Sequence, residues 1–417
     1  MGENKHTMSD LYQMQSLPLS AKIRMTQYRI NQWIDEFGQD GAYVSFSGGK
    51  DSTVLLDIVH NLCGYKRVPA VFVDVPTQYP ELKTFAIDFC KKNEIELEIL
   101  KPKISFMEVC KKYGFPLFSK ELSSTIGEAR KYIKSVEKYN EENTILTDRQ
   151  TDRQTVPGAW AIADLFGIER RKNKECENYK KLKTGIIPSI PARTKQLFGI
   201  YPHRENGVEN GEYSYMYDKS KYLFMLDAKF SCSDMCCKVM KKQPVHSYGK
   251  KTGRKPFTAQ MASESKLRTT QWLKNGCNGF QMKSPISNPM SFWTEQDVLL
   301  YIKLNNLPIC SVYGDVVIDY DAEGQLEGQM DMSELSAEFG IFDTGNRPLK
   351  TTGCSRTGCV LCGFGCHLEK EGEGRFERLK QTHPGLYGLL DVIENNGVTY
   401  KQAIDWINEH GNMNIRY

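Results

Sequence analysis

The chain is 417 residues long, too long for one ordinary core and suited to two or three packed units. With 40% hydrophobic and 25% charged residues it is not a disordered chain, and 55 basic against 51 acidic residues leave +4, which selects no class of partner. The opening MGENKHTMSD lacks the apolar run of a secretory leader, His6 stands where N-myristoylation wants Ser or Thr, and no stretch approaches about 18 apolar residues. A cytoplasmic protein without a membrane anchor is therefore expected. Thiols stay reduced there, so the 13 cysteines point to metal or redox chemistry rather than to a disulfide framework.

In chain order, Ser20 is a plausible N-cap for a helix carrying Ile23, Ile30, Ile34 and Phe37, which Gly38 stops. A strand is predicted at Ala42 to Phe46, then a glycine loop, then a helix through Thr53 to Val59. A second strand is read at Ala70 to Val75, a helix opening at Pro80 and Glu81, and a third strand at Ile95 to Leu100. Strands alternating with helices predict βαβ units and a right-handed parallel sheet. Leu122, Ile126, Ala129, Ile133 and Val136 mark a long amphipathic helix. The tandem TDRQ at Thr147 to Gln154 reads as a local duplication in a loop, and Arg170 to Gly211 has no assignable pattern. Regular structure resumes near Tyr222, with a further strand predicted at Phe257 to Ala262. Thr294 and Asp297 form a capping box that opens a helix ending before Pro308, and a polar helical tail closes the chain. Two basic clusters, Arg170 to Lys183 and Lys238 to Lys255, read chiefly as solvated faces, though nucleic-acid phosphates would also suit them.

The loop Ser47-Gly48-Gly49-Lys50-Asp51-Ser52 lies between a strand and a helix. Two glycines let backbone approach a phosphate without a Cβ clash, and the free N–H groups and positive dipole end of the helix face the anion. Lys50 adds a mobile positive charge, and the hydroxyls of Ser47 and Ser52 can donate. Asp51 alone would repel phosphate, so a bridging Mg²⁺ is expected. The spacing is not that of a Walker loop.

The segment SFSGGKDS resembles the PP-loop of the adenine nucleotide α-hydrolase superfamily of ATP pyrophosphatases and phosphoadenylyl-sulfate (PAPS) reductases. The resemblance implies a Rossmann-like, HUP-type α/β fold: a doubly wound parallel sheet with a helical insert and a Cys-rich C-terminal segment. It implies ATP or a related adenine nucleotide with Mg²⁺, and an adenosine-side role for Asp74. Glu264 and Arg268, then the run Trp293 to Val298, resemble the PAPS reductase branch and imply that the first two contact nucleotide. Sulfonucleotide-using members carry an arginine before the Glu-Ser pair; Thr258-Ala259-Gln260-Met261 lacks it, which makes ATP the expected nucleotide. The implied segments are 1–40, an N-terminal helix; 41–119 and 230–310, the two parts of the nucleotide domain; 120–229, the insert; and 311–417, the Cys-rich end.

Cys236, Cys237, Cys359 and Cys362 resemble the ligands of iron–sulfur-bearing members and imply a [4Fe-4S] cluster. By chemistry alone the local set Cys354, Cys359, Cys362 and Cys366 is an alternative, and Zn²⁺ would accept either. Cys232 and His367 are read as neighbours rather than ligands. Cys63, Cys90 and Cys110 are read as packing residues, and Cys277, among turn formers, as exposed.

The reading is an enzyme in which a substrate oxygen attacks the α-phosphate and expels pyrophosphate, with Lys50 and Asp51 catalytic, and in which a cluster then assists sulfur transfer. A nucleic acid or small metabolite would accept the sulfur, and a sulfur donor or reductant protein would serve as partner. The rivals are PAPS or adenylyl-sulfate reduction, and a nucleotide-binding regulatory or nucleic-acid-associated module with a structural metal.

Overall fold

The computed structural model describes residues 4–143, 191–198, 204–205, 208–209, 218–320, 347–370, 372 and 374–417. The TDRQ repeat and the basic cluster at 170–183 lie outside them. The chain forms two units. One joins Met1–Lys103 to Val239–Cys359, the other Ile104–Lys238 to Val360–Tyr417.

The first unit is built on a six-stranded sheet. Its strands are β1 (Ala42–Ser45), β2 (Ala70–Val73), β3 (Leu97–Leu100), β4 (Lys255–Phe257), β5 (Asn278–Gly279) and β6 (Ile286–Ser287), in the order β3-β2-β1-β4-β6-β5. All neighbours run parallel except β5 and β6. β1 and β2 are almost wholly buried, and their unbroken apolar runs are what a sheet covered on both faces requires. The chain leaves β1 towards β2 on one side and returns to β4 on the other, so the order reverses between β1 and β4. A crevice opens beyond the carboxyl ends of strands at such a point.

The helix Leu19–Phe37 packs Ile30, Trp33 and Ile34 into the core beside Val44, Phe72 and Phe257. Burying each of these side chains contributes about 1.5–3 kcal/mol. Gly38, at φ 70, ends this helix as expected. Pro18 rather than Ser20 stands at its N-cap, without a side-chain hydrogen bond. The strand foreseen at Phe257 to Ala262 stops at Phe257. Its neighbour β6 matches it only through Phe257 and Ser287, and beyond that the chain turns into a short helical turn, Ala262–Glu264. Thr294 caps the helix Glu295–Leu304 with the expected capping box. The nucleotide-loop helix, Lys50–Asp57, widens into a π-helical turn over Ile58–Leu62.

In the second unit Leu117–Phe118 pairs parallel with Gly363–Phe364, and Phe115 stacks on Tyr400 at 4.7 Å. The long helix Lys120–Asn143 is present. From it Arg130 donates to the carbonyls of Met225, Ala228 and Phe230, closing a turn that no strand satisfies. No helix among the described residues is long and apolar enough to cross a membrane.

Candidate nucleotide site

The loop after β1 adopts the shape its glycines permit. Gly48 has φ 71, and a Cβ there would meet the Leu82 carbonyl oxygen at 2.8 Å. A Cβ on Gly49 would press on Ser47 Oγ, the Tyr313 hydroxyl and Thr357 Oγ1 at 3.1–3.3 Å. Both positions are therefore closed to side chains. Ser52 Oγ accepts from the Ser47 N–H at 3.2 Å and lies 3.0 Å from Ser47 Oγ, which accepts from the Gly49 N–H at 3.3 Å. The Lys50 N–H donates to the Tyr313 hydroxyl at 3.2 Å. Three of the loop's N–H groups, those of Ser47, Gly49 and Lys50, are thus already bonded within the chain.

Lys50 is not the mobile charge anticipated. It is the first residue of its helix and is 3% exposed. Its ammonium donates to the Ser355 carbonyl at 2.8 Å and pairs with Glu295 at 3.0 Å. Asp51 follows. Its Oδ1 is sealed from solvent and has no hydrogen-bond partner. Burial raises the Asp51 carboxyl above the usual range, and the charge of Lys50 opposes that rise. An orphaned carboxylate oxygen at a phosphate loop fits a divalent cation. Mg²⁺ typically takes one or two carboxylates and completes its shell with phosphate oxygens and water.

These residues line a small open cleft with a cavity volume of about 110 Å³. Its walls come from the loop after β1 (Ser47, Gly49, Lys50, Asp51), from the turn after β4 (Met261, Glu264), and from Glu295, Tyr313, Arg356 and Thr357. The Tyr313 hydroxyl lies 2.6 Å from Thr357 Oγ1, which holds the segment Ser355 to Thr357 against the loop. Glu264 accepts from the Met261 N–H at 2.9 Å and forms an ion pair with Arg268. Arg268, itself inward-facing, has its pKa lowered first by burial and then by Arg356.

The remaining candidates divide. Asp74 lies beyond the end of β2 and outside the cleft lining, in an ion pair with Lys83 at 2.7 Å. Glu295 and Tyr313 were not foreseen as site residues, although Glu295 stood in a motif read from the sequence. Arg356 and Thr357, which precede Cys359 in a cysteine-dense stretch, also line the cleft. Cys277, expected to be exposed, is buried; it accepts from Ser291 Oγ at 3.2 Å, and its carbonyl accepts from the Asn288 N–H. Cys90 and Cys110 are buried packing residues as read, and Cys63 is partly so.

Both cysteine ligand sets draw on both units. Cys236, Cys237, Cys362 and Cys366 belong to the second unit, and Cys354 and Cys359 to the first. Cys354 Sγ lies 3.5 Å from the Tyr79 hydroxyl, and Cys366 Sγ lies 3.5 Å from the Cys362 carbonyl oxygen. No disulfide joins the described cysteines. Among the described residues, no three His, Cys, Asp or Glu side chains are gathered as metal ligands. Cys232 is buried and His367 half-buried. His367 is held edge-on to Phe118, with its Nε2 3.5 Å from the Tyr222 hydroxyl.

The chain is 27% identical over 177 residues to the NH(3)-dependent NAD(+) synthetase of Thermotoga maritima. That match takes in 41% of this chain and 60% of the synthetase, so only part of that relative's length is represented. Among solved structures it is similar to phosphoadenylyl-sulfate (PAPS) reductase from Candida auris, in a phosphate complex. Identity there is 13% and the TM-score 0.32, over 74% of this chain and 92% of that one. The phosphoadenosine phosphosulfate reductase domain model matches residues 41–156 and 205–363, well over half of the chain. With its phosphate loop at the turn of a doubly wound sheet, the chain belongs to the phosphoadenosine phosphosulfate reductase domain family.

Proposed function

We propose that the cleft binds an adenine nucleotide as ATP with Mg²⁺, and that the protein is an enzyme releasing pyrophosphate by attack on the α-phosphate. The observation that carries this reading is the partnerless Oδ1 of Asp51 beside the Lys50 ammonium. A sealed carboxylate oxygen is costly to leave unsatisfied, and a metal-bound polyphosphate would satisfy it. Mg²⁺ there would neutralise charge developing on the phosphate oxygens. Lys50, fixed by Glu295 and Ser355, would orient the phosphates without having to be ordered first. Gly48 and Gly49 would let the backbone approach them, with the Gly49 and Lys50 N–H groups exchanging Ser47 and Tyr313 for phosphate oxygens. Met261, 4% exposed, places an apolar group on the cleft wall where sulfonucleotide-using relatives carry a cation, which favours ATP over PAPS or adenylyl sulfate. Asp74 stays proposed as an adenosine-side residue and Glu264 and Arg268 as nucleotide contacts.

Sulfur transfer is proposed on the resemblance alone. Because no three metal-ligating side chains are gathered among the described residues, no step is routed through a cluster. Iron analysis of protein purified without oxygen decides it: stoichiometric iron lost in Cys359→Ser and Cys362→Ser would support the redox half, and colourless protein would remove it. A cytoplasmic location is proposed from the nucleotide substrate and from described cysteines that are not joined as disulfides.

The primary test is calorimetric titration of ATP with and without Mg²⁺, followed by a pyrophosphate assay over candidate acceptors, including RNA, DNA and small metabolites. Mg²⁺-dependent binding that Asp51→Asn abolishes is expected. Tighter binding of either sulfonucleotide than of ATP would restore the reductase reading. ATP binding without pyrophosphate release under any acceptor would favour the regulatory module.

A further inference from the structure

Two cations line this cleft, Lys50 and Arg356, and a third, Arg268, pairs with its wall residue Glu264. Two of them are committed. Lys50 is paired with Glu295 and Arg268 with Glu264. Arg356 lines the cleft and has no carboxylate partner among the described residues. A merely solvated arginine would stand away from the pocket, whereas this one is close enough to oppose the charge on Arg268 and to act on the buried Asp51. Glu264 offsets the charge of Arg268, whereas Arg356 faces the cleft without a paired carboxylate among the described residues, so an anion entering the cleft would meet an uncommitted guanidinium. The segment that carries Arg356 is also tied to the phosphate loop. Ser355 accepts from Lys50, and Thr357 meets the tyrosine that caps the Lys50 N–H.

We infer that Arg356 grips the terminal phosphates of the bound nucleotide and sets the preference of this site for a polyphosphate chain over a monophosphate. The inference deepens the ATP reading and rests on it. A guanidinium presents paired donors that match phosphate oxygens. From the segment 355–357 it supplies the cation that the turn before Glu264 lacks, where Met261 stands instead. Arg356 is exposed, so replacing it leaves the core untouched and a binding change can be read directly.

The experiment is calorimetric titration of wild type, Arg356→Ala and Arg356→Lys with ATP·Mg²⁺, AMP and inorganic triphosphate. Arg356→Ala is expected to weaken ATP and triphosphate about ten- to a hundredfold, while AMP changes by less than about threefold. Arg356→Lys is expected to recover part of the ATP loss, because a point charge replaces a fork. Unchanged ATP affinity in Arg356→Ala, or equal losses for ATP and AMP, would overturn the inference while leaving the ATP reading intact. Wild-type protein that binds neither ATP nor triphosphate would instead overturn the ATP reading, and this inference with it.

Discussion

Asp51 and Lys50 are neighbours in sequence and opposites in their surroundings. Lys50 has its counter-charge, whereas Asp51 has a sealed oxygen and a pKa pushed up, chiefly by burial. A carboxyl whose folded pKa lies above its unfolded value of 3.8 binds more protons folded than unfolded. Stability is then present at low pH and lost as pH rises from that value through the folded pKa. Asp51→Asn is therefore expected to raise the melting temperature of the nucleotide-free protein at neutral pH and to flatten its pH dependence over that window, while losing Mg²⁺-dependent ATP binding. Unchanged melting at every pH would show that Asp51 carries no such burden. For Lys50 a distinction is needed that the sequence did not offer, since the side chain is buried. Lys50→Met keeps the stem and should weaken ATP about ten- to a hundredfold, with little loss of stability. Lys50→Ala adds a cavity and should also lower the melting temperature. Comparing the two by calorimetry and thermal melts separates charge from packing.

The helix Glu295–Leu304 and its entry show how a short motif serves several ends. Trp293 is fully buried and donates to Thr26 Oγ1 at 2.9 Å, and Thr294 caps the helix. Glu295 reaches Lys50, while Gln296 exchanges two hydrogen bonds with the backbone of Leu349, at 3.0 and 2.7 Å. Asp297, nearly buried, receives two bonds from the equally buried Lys22, at 2.8 and 2.7 Å. Removing one partner of such a pair costs about 3–5 kcal/mol. Asp297→Ala should approach or exceed that figure in chemical denaturation, since it also removes the capping acceptor. Replacing both partners with apolar residues, Lys22→Met with Asp297→Leu, should recover much of the loss; no recovery would place the cost in the cap alone.

The capping box was legible because it is local, and so were Gly38 and the phosphate loop, whose neighbours in sequence are neighbours in space. What could not be read is the identity of Lys50's partners. Glu295, Tyr313 and Ser355 lie far along the chain, and no periodicity links them to a loop near residue 50. Arg356 escaped for the same reason, its dense cysteine neighbours drawing the reading towards metal. The false extension of β4 had another cause: apolar composition continues past Phe257, but its strand partner does not.

At the scale of the molecule, parallel strands and their crossovers were readable from alternation, and the sheet has that character. A nucleotide domain in two stretches was implied by the resemblance, but the crossings between the two units, at residues 103–104, 238–239 and 359–360, were not readable, because composition does not change there. The pairing of Ala42 with Lys255, and of Val44 with Phe257, has a temporal consequence. Contacts so distant in sequence are slow to close. During synthesis the first three strands emerge long before the fourth, and one edge of β1 waits unpaired. The phosphate loop therefore exists as a peptide well before its walls do, because Glu295, Tyr313 and Arg356 arrive later still. Nascent chains halted before residue 255 should be aggregation-prone and unable to retain nucleotide, and chains released past residue 359 should gain both solubility and binding in one step. Pulse-labelled synthesis with limited proteolysis at the two lengths would display that step, and protection already complete in the shorter chain would deny it.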